Sequence, residues 1–140
     1  MKKIFYLVPV VVAVLIITIS LQSKPDTMYA YHVTLADPKL YKGGIFVGMF
    51  KIQKGSYQFS FVPNGDSPQL LSIYLVGTGL DYHQDFKLNG TQHNTGISNY
   101  YTWTYVGNKD TNISDDQNVT ITVDPHSNIQ GSVSIYLIKK

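Results

Sequence analysis

From Met28 onward, hydrophobic residues fall at every second position, and the helical spacing of three and four is absent. In TMYAYHVTL, Tyr29, Tyr31, Val33 and Leu35 share one side, with Ala30, His32 and Thr34 on the other. SYQFSFV alternates Tyr57, Phe59 and Phe61 with Ser56, Gln58 and Ser60. QLLSIYLVG brings Leu71, Ile73 and Leu75 into phase, and YYTWTYVG sets Tyr101, Trp103 and Tyr105 against Thr102 and Thr104. GSVSIYLI does the same with Val133, Ile135 and Leu137 against Ser132, Ser134 and Tyr136. DYHQDFKL and NVTITV complete the alternating set, and IFVGMFKI, apolar on both faces, reads as a central strand.

These eight predicted strands are separated by DPKLYKGG, QKG, PNGDSP, DPHSNIQ and similar Gly, Pro, Asn and Asp clusters, which favour turns. The pattern predicts an all-β domain, an antiparallel sandwich of jelly-roll or immunoglobulin-like topology, with an up-and-down barrel as the alternative.

The N-terminal segment differs in kind. Lys2 and Lys3 precede an uncharged run from Ile4 to Leu21, long enough as a helix to span roughly 27 Å, close to the hydrocarbon thickness of a bilayer. Residues 1–23 therefore read as a transmembrane anchor or signal segment, 24–27 as a linker and 28–140 as the extracytoplasmic domain. The flanking lysines hold the N-terminus in the cytoplasm. A cleaved signal is the alternative, but the run lacks an A-x-A cleavage motif.

Composition narrows the chemistry. Lys2 and Lys3 account for the whole formal charge of +2, and the exported part is neutral. There is no arginine and no basic stripe, which argues against nucleic-acid recognition. With no cysteine, the domain can have no disulfide, thiolate nucleophile or sulfur-ligated metal.

One stretch, GLDYHQDFKLNGTQH, gathers ionisable side chains. On a strand, Asp81, His83, Asp85 and Lys87 share a face opposite Phe86 and Leu88. Asp81, His83 and Asp85 are oxygen and imidazole ligands, and His93, folded back across an NGTQ turn, would complete a type 2 copper or zinc site. Against this, ligands two apart step about 7 Å along a strand, and Lys87 opposes a cation, so a solvated face is the primary reading. Gly65-Asp66-Ser67 resembles a serine nucleophile loop but runs into Pro68, and no Gly-x-Ser-x-Gly elbow exists. His32 reads as a strand-surface residue and His126 as a loop residue. No catalytic residue is assigned and no cofactor is implied.

Asn89-Gly-Thr, Asn112-Ile-Ser and Asn118-Val-Thr match the N-glycosylation pattern, at predicted turns or strand starts. Tyr100, Tyr101, Trp103 and Tyr105 crowd one strand. Core packing is the first reading for them and sugar stacking the second.

GSYQFSFVPNGDSPQLLSIYLVGTG, with YYTWTYVG and VDPHSNIQGSVSIYLI, resembles short exported proteins of ammonia-oxidising archaea that carry one N-terminal hydrophobic segment and one β-sandwich. GSYQFSF and GSVSIYLI are also similar to strands of GOLD-type and pre-peptidase C-terminal sandwiches. GOLD-bearing cargo receptors usually add a disulfide and a C-terminal membrane helix, and this chain has neither. The resemblance implies fold and location, with no catalytic motif to transfer.

The expected function is that of a non-catalytic, membrane-anchored binding or structural module of the cell envelope, partnered by an envelope protein or glycan. An exported metal-binding protein and a carbohydrate-binding module are the alternatives.

Overall fold

The computed structural model describes residues 29–140, and the expected membrane segment and linker lie outside them. Among the described residues no helix is long and apolar enough to cross a membrane. The domain is all-β. Its strands are β1 (Tyr29–Leu35), β2 (Phe46–Ile52), β3 (Gly55–Pro63), β4 (Leu70–Gly77), β5 (Leu80–Asn94), β6 (Asn99–Val106), β7 (Asp110–Ile113), β8 (Gln117–Asp124) and β9 (Val133–Lys139). A 3-10 turn, Pro38–Leu40, is capped by the Asp37 carboxylate.

Two antiparallel sheets pack face to face, one in the order β1-β9-β3-β7 and the other β2-β8-β4-β5-β6. The pairing is nested: first with ninth, second with eighth, third with seventh. Inward residues are those the alternation assigned. Leu71, Ile73 and Leu75 of β4 meet Phe59, Ile135 and Leu137 of the other sheet, all essentially inaccessible. Phe59, Phe61, Tyr82, Phe86 and Tyr105 form an aromatic cluster between the sheets, with ring centroids 4.8–6.1 Å apart. In tilted and offset geometries such contacts add to simple area burial.

The sequence expectation needs three corrections. β7 is a ninth strand: its DTNI is polar apart from the buried Ile113, so it carries no alternation to detect. β2 is an edge strand, not a central one, and its outward Val47 and Met49 (74 % exposed) face solvent. Lastly, β5 continues unbroken through Asn89-Gly90-Thr91-Gln92, where a turn was expected.

The nested wiring separates the loops into two groups. Tyr29, the β2–β3 turn, the β4–β5 turn and the β7–β8 turn lie at one end, where the Lys54 amide donates to Asp116. The β1–β2, β3–β4 and β8–β9 loops lie at the other, where Asn128 donates to the Asp66 carbonyl. At that second end β5 passes its last partner on β4, Leu70 opposite Lys87, and pairs from Asn89 to Asn94 with β6 alone. The result is a two-stranded arm whose Asn89–Asn94 stretch runs roughly 20 Å past the last pair with β4.

Candidate functional site

Two places merit chemical description: a polar cluster on the outer face of the larger sheet, and the β5–β6 arm.

The cluster is set by the β4–β5 hairpin. Its two-residue turn, Thr78-Gly79 with Gly79 at φ 69°, fixes Gly77 opposite Leu80. Ser72 then stands opposite Asp85, and Tyr74 opposite His83, all facing outward. The Ser72 hydroxyl donates to Asp85 Oδ1 at 2.5 Å, and the His83 Nε2 lies 3.1 Å from the same oxygen. The His83 ring lies flat on Tyr74, centroids 4.3 Å apart and planes 2° from parallel. From the β8–β9 loop, His126 closes over Ser72 with Nε2 2.7 Å from the hydroxyl. His126 and Ser127 both adopt positive φ, 50° and 74°, and the His126 amide donates to the Asp124 carboxylate. Left-handed backbone in non-glycine residues persists only where its surroundings hold it.

Ser72 is 2 % exposed. Its one proton goes to Asp85, so His126 must present Nε2–H to the hydroxyl oxygen. The order is carboxylate, hydroxyl, imidazole. A nucleophilic serine needs the imidazole in the middle, taking the hydroxyl proton. This chain of bonds therefore tethers the His126 loop to the sheet and does not activate Ser72. The Ser72 hydroxyl holds the Asp85 carboxyl below the usual carboxylate range, and His83 adds to the effect.

The residues read as alternative metal ligands are thus dispersed. His83 and Asp85 meet, whereas Asp81 lies opposite Val76 at the other end of the hairpin. His93 is ten residues along a continuous strand, about 33 Å from His83, stacked on Tyr100 and bonded to Thr102. Among the described residues no group of three or more His, Cys, Asp or Glu side chains converges to hold a metal ion. Sequence reasoning missed Ser72, Tyr74 and His126. The first two were recoverable from the Thr78-Gly79 turn, which fixes the register, but nothing in DPHSN foretells the loop's return over β4.

The three sequon asparagines are exposed. Asn89 begins the arm, in mid-strand, Asn112 lies on β7 and accepts from the Ser56 hydroxyl, and Asn118 is near the start of β8.

The arm is built differently. Its tip, Thr95-Gly96-Ile97-Ser98, is closed by Thr95 and Ser98 and by the Asn94 side chain accepting from the Gly96 amide. Ile97 at its apex is 98 % exposed. One face carries Tyr101 and Trp103 from β6, opposite Gln92 and Gly90 of β5, with Asn94 and Asn99 beyond. Trp103 is half-buried: its indole lies across Gly90, where any Cβ would come within 2.6 Å of the ring, and reaches Gly65 of the β3–β4 loop. Tyr101, 53 % exposed, packs beside it at 5.8 Å and 24°. The opposite face carries Thr91, His93, Tyr100 and Thr102.

No family model, curated protein or solved structure matches the chain.

Proposed function

We propose that this chain is a membrane-anchored, extracytoplasmic jelly-roll module that binds a partner at the cell envelope through its β5–β6 arm, without covalent chemistry of its own. The nested strand pairing supports the jelly-roll reading: β1 to β5 and β7 to β9 supply its eight strands, and β6 is an addition paired to β5. The apolar run Ile4–Leu21 supports the anchor.

The observation that carries the functional reading is the placement of the arm. Tyr29, where the chain enters the sandwich, lies at one end, and the arm leaves from the other. A domain held to a bilayer by residues 1–23 would point the arm away from the lipid. A large apolar residue at an exposed apex and Tyr101 half in solvent are poorly placed for stability and well placed for contact.

The chain has no cysteine, so Ile97→Cys creates a unique thiol. A membrane-impermeant maleimide should label it on intact cells, and the labelled protein should fractionate with membranes. Labelling that appears only after lysis would overturn the reading.

A further inference from the structure

We infer that the Tyr101–Trp103 face of the arm is a binding site for a neutral glycan. This rests on the arm being the binding element, and it names the ligand class.

Charge selects the ligand first. From Leu88 to Asn108 the chain carries no Asp, Glu, Lys or Arg, and His93 points to the opposite face. The arm offers no cation to a phosphate or to a sulfated or uronic polysaccharide, and the one formal charge beside this face, the exposed Asp66 next to Gly65, repels such anions. Neutral ligands remain.

Side-chain chemistry selects next. A pyranose has an apolar C–H face and a rim of hydroxyls that both donate and accept. Tyr101, half in solvent, presents a ring surface for the C–H face, and the partly buried Trp103 extends it from beside. The amides of Gln92 and Asn99 each offer a donor and an acceptor on the same side of the ribbon, and Asn94, whose oxygen is held by the Gly96 amide, adds its NH2 donor. A protein partner would want a larger apolar centre than two rings ringed by amides.

The support beneath the rings points the same way. Glycine inside a strand weakens it, yet Gly90 occupies the one cross-strand position facing Trp103. Without a side chain there, the indole lies along the ribbon, with Gly65 beneath its edge, where an added Cβ would stand 3.5 Å from the ring. An aromatic ring fixed in that attitude needs little further ordering when a ligand arrives.

The test uses the full chain in detergent micelles. Affinity electrophoresis against neutral glucan, mannan and galactan, with heparin and polygalacturonate as charged controls, should show retardation by at least one neutral polymer and none by the charged ones. Tyr101→Ala should weaken retardation about tenfold, the scale of one lost aromatic contact. Tyr101→Phe should stay within about threefold on the same scale, and Tyr100→Ala, on the other face, should change nothing. No retardation by any neutral polymer overturns the inference, as does retardation indifferent to Tyr101→Ala. A photo-crosslinker at position 97 separates the two readings. Capture of an envelope protein without glycan binding removes the glycan and leaves the arm as a protein-binding element. Absence of both removes the arm as a binding element altogether.

Discussion

Asp85 and Ser72 stand directly opposite each other across the β4–β5 hairpin, and the hydroxyl of one donates to the carboxylate of the other. That pair is the centre of a chain of bonds from His83 to His126, and it makes the loop's attachment to the sheet sensitive to acid.

A carboxylate whose folded pKa is depressed stabilises the fold fully above its unfolded value, about 3.9, and loses that contribution as pH falls through the folded value. The melting temperature of the native chain should therefore exceed that of Asp85→Asn at pH 7. The two should converge as pH drops from about 4 toward 2. A gap that persists unchanged at the acid limit would disprove the assignment.

Tyr105 titrates at the opposite extreme. Its phenol donates to the Pro68 carbonyl at 2.6 Å, and burial, with Tyr41 nearby, pushes its pKa well above the ordinary tyrosine range. Tyr82, whose hydroxyl donates to the Asn108 carbonyl, is raised by burial and by Asp110. The folded state thus keeps protons that the unfolded chain releases near pH 10, so stability is level below about pH 10 and falls above it. Tyr105→Phe should cost about 1–3 kcal/mol at neutral pH and flatten the alkaline limb, measured by urea unfolding across pH.

Tyr41 presents the reverse case. Its hydroxyl is buried with no hydrogen-bond partner among the described residues. Removing an unsatisfied group while keeping the ring should help, so Tyr41→Phe is expected to stabilise by about 1 kcal/mol in the same assay. A loss of stability would mean that the hydroxyl is satisfied in solution.

Trp103 is the only tryptophan, which makes the arm optically separable. Gly90→Ala places a methyl group where the indole now lies, and the side chain must lift toward water. The emission maximum should shift to the red while far-ultraviolet circular dichroism and the global melting temperature change little. An unshifted spectrum would mean that the ring is not seated on Gly90.

How much of this could be read from the sequence varies with the kind of signal. Period-two alternation located β1, β3, β4, β8 and β9, because each buries one face against the opposite sheet. It could not rank strands within a sheet. The double apolar face of β2 suggested a covered strand, yet Val47 and Met49 lie on an open edge. Asn-Gly within NGTQ is a strong turn signal, and here it was overridden. Gly90 is required under Trp103, and the chain reverses only at Thr95-Gly96. The polar cluster was half visible. Spacing put His83 and Asp85 on one face, but His126 reaches them only through a loop whose path depends on two left-handed residues.

The nested pairing also governs timing. Among the described residues, β1 finds its only sheet neighbour in β9, more than a hundred positions away along the polypeptide for several of the matched pairs, such as Tyr31 with Leu137. A chain made from its N-terminus must therefore hold its first strand unpaired until its ninth has been synthesised. Such long-range closure is slow. A polypeptide threaded through an export channel would arrive outside still extended, and would zip shut only after β9 had cleared the pore.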